Sequence, residues 1–209
     1  MKQLFITVIA ILLGTIAQAQ SKKYVAAMQE QLALMDSAKT TQDFQNVANN
    51  FERIGDAEKT QWLPYYYAGL ALTSAGWRDK ALDKDANSEK IMALCDKAEA
   101  IEKNAEIYTI RNMALVQQMQ VDPQNRWMTY GQQAGKTIQE GLQLDPNNPR
   151  LYYLQGMSVL GTPTAFGGGK EKAKPIFEKA LELYKIEKIK PLYPHWGQKQ
   201  TEKMIEQCK

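Results

Sequence analysis

The chain of 209 residues holds one histidine and two cysteines. With a single imidazole, His195, zinc sites built on histidine and His-dependent triads have too few parts. The net charge of +3 is small and no block of like charge occurs, so the electrostatic footprint of a nucleic-acid or anionic-membrane binder is missing. Alternation of apolar and polar residues, the mark of a half-buried strand, is also absent. What the chain has in quantity is aromatic: ten Tyr and four Trp, in an ordinary globular balance of 44% apolar and 23% charged residues. Such a chain is long enough to bury one real core.

The N-terminus reads as an export signal: Lys2, an apolar run from Leu4 to Ile16, and the small-residue site Ala17-Gln18-Ala19. The run is shorter than the about 20 residues a spanning helix needs. Residues 1–19 are therefore expected to be removed, leaving one soluble exported domain over 20–209, periplasmic or extracellular, with no membrane span. The short signal and its AQAQ junction resemble those of exported proteins of Gram-negative bacteria of the Bacteroidota type.

Apolar residues then recur at three and four, with turn signals every 12 to 20 residues, predicting helices near 23–37, 41–55, 61–76, 87–103, 105–119, 126–143, 149–160, 171–187 and 195–208. Thr41, Asn87 or Ser88, and Asn148 are the expected N-caps, the last followed by Pro149 at the first helical position. Tyr65, Ala68, Gly69 and Leu72 share their spacing with Tyr152, Gln155, Gly156 and Val159, and more weakly with Tyr108, Arg111, Asn112 and Leu115. Each set is followed by a second helix with a matching apolar stripe: Ile91, Cys95, Ala98, Ile101; Ala134, Ile138, Gly141; and Ala173, Phe177, Ala180, Leu183. Small residues at Gly69 and Gly156 let the paired helix approach; Ala98, Gly141 and Ala180 admit the next pair.

The stretches EGLQLDPNNPRLYYLQG (Glu140 to Gly156) and AKPIFEKALELY (Ala173 to Tyr184) resemble the tetratricopeptide (TPR) repeat, with looser matches over Asn50 to Leu72 and Cys95 to Tyr108. The resemblance implies an all-α, TPR-like solenoid of about four antiparallel helix pairs over 41–184, closed by a polar-faced capping helix near 195–208. In that fold the first helices line a concave groove, which places Tyr66, Leu70, Thr109, Met113, Tyr153 and Met157 in it. Tyr and Met offer broad, adaptable apolar contacts. The expected role is thus a non-enzymatic scaffold of the cell envelope that holds a protein or peptide; the alternative is a small-ligand accessory protein of a transport system.

The run GTPTAFGGGKEK, from Gly161, invites comparison with a phosphate loop. However, Lys170 is followed by Glu171 rather than Ser or Thr, Thr164 stands where the first glycine belongs, and no strand precedes it. It reads instead as a turn between the helices of the last pair, similar to a TP…FGGG loop of related TPR-like proteins with its Phe tucked over the pair. A lesser reading gives Gly168, Gly169 and Lys170 an anion, held by free amides at a helix start. No cofactor and no metal are expected. Cys95 reads as a core residue, and Cys208 on the cap lies too far off to bond it, which leaves Cys208 a free, exposed thiol.

Overall fold

The computed structural model describes residues 22–209; the signal segment expected over 1–19 lies outside them. Helix α1 spans 22–37. It is followed by α2 (Thr41–Glu58), α3 (Leu63–Arg78), α4 (Lys84–Ile101) and α5 (Ala105–Val121). A short α6 (Pro123–Arg126) runs through a π-helical turn (Trp127–Gly131) into α7 (Gln132–Leu144). The chain ends with α8 (Pro149–Gly161), α9 (Lys170–Ile186) and α10 (Gln198–Gln207). The fold is all-α among the described residues, as expected, and its helices pack in pairs: α2 on α3, α3 on α4, α5 on α7, α8 on α9, with α10 against α9.

Local chemistry sets the helix starts. Asn148 caps α8 by accepting from the Leu151 amide at 3.1 Å, with Pro149 at the first position. Two other caps differ from expectation. Thr40, not Thr41, caps α2, because Asp43 closes a reciprocal box: Thr40 Oγ1 accepts from the Asp43 amide and Asp43 accepts from the Thr40 amide at 2.8 Å. Asp83 caps α4, a turn earlier than Asn87 or Ser88. Those two are buried inside the helix and reach across to its neighbours, Asn87 donating to the Leu72 carbonyl at 3.1 Å and Ser88 to that of Ala114 at 3.1 Å.

The close approaches are where the small residues stand. A β-carbon at Gly156 would meet the Phe177 ring at 2.5 Å, and one at Gly141 would meet Leu151 at 2.7 Å and Tyr108 at 2.9 Å. Gly69 differs in partner: its nearest neighbour is Ile110 of α5, with Ile91 of the paired helix behind. One core runs from Tyr24 and Met28 through Phe51, Tyr66, Ile91 and Ile107 to Leu151 and Leu154; a smaller one gathers Ala173, Phe177 and Cys208. Cys208 is buried there, not exposed, because α10 lays it onto Phe177's helix. Both cysteines are free, as expected.

The helix expected over 126–143 forms, with a π turn inside it at Trp127–Gly131. Arg126 lies just before it, donating twice to Asp85 at 2.6 and 2.9 Å and once to the Gln118 carbonyl at 3.1 Å. Gly131, which has no β-carbon, leaves room for the Trp127 ring. This guanidinium anchors α6 to the start of α4 while the extra residue per turn carries Trp127 and Met128 outward.

Candidate functional site

The concave face is not an open groove along its whole length. Between α9 and α10 the chain runs as a strap, residues 187–197, across the first helices. Tyr67 donates its hydroxyl proton to the Leu192 carbonyl at 2.8 Å, Tyr193 sits edge-on to Trp62 at 5.6 Å, and Trp196 donates from Nε1 to the Tyr66 hydroxyl at 2.8 Å while stacking edge-on to Tyr153. Leu192 takes a positive φ of 66°, a strained choice for a branched side chain, where the strap bends between Pro191 and Pro194.

The strap decides the fate of the six groove residues. Tyr66, Thr109 and Met113 are buried, Leu70 and Tyr153 are half-buried, and Met157 is exposed. An open groove lined by all six is therefore not what the chain forms: Tyr66 is covered by Trp196, and Thr109 turns its hydroxyl back to the Glu106 carbonyl at 2.7 Å. Burial pushes the Tyr66 phenol well above its ordinary pKa, with Glu106 adding to the effect.

Beneath the strap lies a buried ionic cluster that the sequence did not announce. Arg150 donates through Nε to both oxygens of Glu106 at 2.9 and 2.8 Å and, through its two terminal nitrogens, to both oxygens of Glu187 at the strap's root. Asn148 adds a bond to Glu106 at 2.6 Å. Burial drives the Glu106 carboxyl upward, with Arg150 and Asn148 pulling the other way. Burial likewise works against the Arg150 charge, yet Glu106 and Glu187 hold it charged. The cluster forms the floor of a cleft of about 340 Å³ whose walls include Trp62, Tyr193, Leu144 and Ile189.

The glycine loop binds its own backbone. The amide of Gly168 donates to the Pro163 carbonyl at 3.2 Å and that of Gly169 to the Val159 carbonyl at 2.9 Å, so neither is free for an anion; Lys170 is the first, exposed residue of α9. Gly167 and Gly169 supply the positive φ values of 82° and 97° that the bend needs. Phe166 is not tucked over the helix pair but 81% exposed, because the tight 3-10 turn Thr164–Phe166 points it away. His195 is exposed in the strap beside Trp196, entering the last helix as expected. Cys95 is buried, and burial raises its thiol to about 12, which removes it as a nucleophile. Among the described residues no three His, Cys, Asp or Glu side chains come together as a metal-holding group.

Beside Leu144 and Ile189 of the cleft, further exposed apolar residues stand at the far ends of α3 and α5. Trp77, Trp127 and Val121 are 44, 46 and 47% exposed and Met128 is 65% exposed. Trp77 ends α3, Val121 ends α5, and the other two open the π turn. In the sequence Trp77 shares a face with Tyr66 and Leu70, two helical turns beyond Leu70, and could have been found that way. Trp127 and Met128 could not, since their outward turn depends on the π geometry.

These features define an all-α protein of stacked helix pairs, self-strapped across its concave face, with an apolar corner left open. No protein-family model matches the chain, and no curated protein matches it. Among solved structures, the HusA haemophore from Porphyromonas gingivalis is similar, with a TM-score of 0.82 and 33% sequence identity, over 89% of this chain and 92% of that one. The chain belongs to the family of that haemophore.

Proposed function

We propose that this protein is an exported, non-enzymatic carrier of haem whose helix pairs are degenerate repeats of the TPR kind. The observation that carries the reading is the likeness to a haemophore over nearly the whole of both chains. The small-ligand expectation is thus favoured over the peptide scaffold. The surface agrees with it. The inner half of the concave face, where a peptide was expected, is occupied by the chain's own strap. The N-terminal export signal read from the sequence supports a carrier that works outside the cytoplasm, in the periplasm or beyond it.

Haem is a flat apolar macrocycle bearing two carboxylates. Exposed indoles and thioethers suit its faces, and lysines or arginines at a rim suit its carboxylates. Titrating haemin into the chain from Gln20 and following the Soret band and tryptophan fluorescence tests the reading. A saturable 1:1 change with a dissociation constant of about 1 μM or tighter is expected, equivalent to about 8 kcal/mol of binding. A band that stays that of free haemin at about 10 μM protein overturns it, since such affinity is too weak for a carrier.

A further inference from the structure

We infer that haem seats on the corner where α3, α5 and the π turn meet, against Trp77, Val121, Trp127 and Met128. The inference rests on the haem-carrier reading and assigns its site. These four side chains belong to three elements, and polar bonds tie those elements together. The Gln117 amide of α5 lies where a β-carbon of Gly76, beside Trp77, would be, and Nε2 donates to the Thr73 carbonyl at 2.8 Å. Arg126, beside Trp127, bonds to the Gln118 carbonyl of α5 and to Asp85 of α4. The last turns of α3 and α5 and the π turn are thus held as one corner, and its outer surface carries two indoles, a thioether and a valine. Exposed apolar side chains gathered on elements tied together in this way offer a binding surface, and π turns recur at functional sites.

The charges around the corner complement haem. Arg78 and Lys80 follow Trp77, and neither closes an ion pair among the described residues; the Arg78 guanidinium lies over the Phe44 ring at 5.5 Å. The nearby acids are engaged locally. Asp79 accepts from the Ala81 amide at 2.9 Å, Asp122 from the Asn125 side chain at 2.7 Å, and Asp85 from Arg126. Arg78 and Lys80 carry charge of the sign that two carboxylates on an apolar macrocycle need, Arg78 sharing its field with Asp43. The rival place, the cleft under the strap, fits worse. Its floor sets the carboxylates of Glu106 and Glu187 against one guanidinium, its Trp62 wall is buried, and Glu102 and Asp145 line it beside Lys103, Lys188 and Lys190.

The test is the same haemin titration on four proteins: the parent, Trp77→Glu, Met128→Lys, and the cleft variant Ile189→Glu, whose side chain is exposed at the other end of the fold. Circular dichroism and thermal unfolding check that each is folded. The site predicts that Trp77→Glu and Met128→Lys each weaken haemin binding by about tenfold or more, a difference of about 1.4 kcal/mol. Ile189→Glu should bind as the parent does. Parent-like binding by the two corner variants, or loss confined to Ile189→Glu, overturns the corner while leaving the carrier reading in place. A parent that shows no saturable change overturns both.

Discussion

The indole of Trp196 donates a hydrogen bond to the hydroxyl of Tyr66 at 2.8 Å, across 130 residues of sequence. That single bond fastens the C-terminal strap to the second helix pair, and Glu106 stands behind it, 3.4 Å from the same hydroxyl. Tyr66→Phe leaves the Trp196 N–H without its partner in a half-buried place, and is expected to cost about 1–2 kcal/mol. Trp196→Phe should cost a similar amount. Because both remove the same bond, the double variant should cost less than the two together, as read from urea unfolding of all four proteins.

Arg150 is the residue whose loss should hurt most. Arg150→Met leaves Glu106 buried and Glu187 half-buried without their counter-charge, at an expected cost of about 3–5 kcal/mol. Arg150→Lys should rescue only part of it, since a point charge cannot bond both carboxylates as the planar fork does. Chemical denaturation of the two variants checks this order.

Glu106 gives a pH signature of definite sign. Its folded pKa lies above the ordinary carboxylate value because of burial. Between those two values the folded state holds more protons than the unfolded one, so this group's contribution to stability falls as pH rises through the window. Glu106→Gln lacks the effect. The stability of the variant relative to the parent should therefore rise with pH from the usual carboxylate range upward. Thermal unfolding from acid to neutral pH reads it; a relative stability that falls with pH would contradict the burial assigned here. Asp56 and Asp85 act in the opposite sense. Their pKa values are lowered, chiefly by the Tyr65 and Arg126 bonds respectively, so their contributions are lost on acidification through the lowered values.

Two glycine substitutions should differ in sign. Gly156→Ala drives a methyl into the Phe177 ring and is expected to destabilise by about 1–3 kcal/mol. Gly135→Ala, in α7, meets nothing within 4 Å and should stabilise by about 0.4–1 kcal/mol through the unfolded chain. Thermal unfolding of the pair separates close packing from simple helix propensity.

Thiol labelling checks the burial of both cysteines. Cys95 lies in the main core and Cys208 against Phe177, so neither should react with an aromatic disulfide reagent on the time scale of minutes in the native protein. Both should react at once in denaturant. Rapid native labelling of one thiol would place Cys208 on the surface after all.

The helices were legible because their signal is local. Apolar spacing and the pair Asn148 with Pro149 act within a few turns of chain. Caps were harder, because Asn87 and Ser88 look like caps until neighbouring helices offer them the Leu72 and Ala114 carbonyls. The strap was not legible at all. Prolines 191 and 194 announce a break, but only tertiary packing decides that Leu192 and Trp196 fall back on Tyr67 and Tyr66. For the same reason the exposure of the expected groove residues was misjudged: Tyr66, Thr109 and Met113 are buried. The open corner depends on a π turn, which apolar periodicity does not encode.

The strap also has a consequence for the order of events in the life of the chain. Tyr67 emerges 125 residues before Leu192, and Tyr66 130 residues before Trp196. Until then the aromatic face of α3 has no cover. A chain that crosses a membrane from its N-terminus meets the same delay on the far side. A nascent or truncated chain ending before Tyr184 would display Trp62, Tyr66 and Tyr67 to any holdase in reach, and only a chain that includes the strap withdraws them.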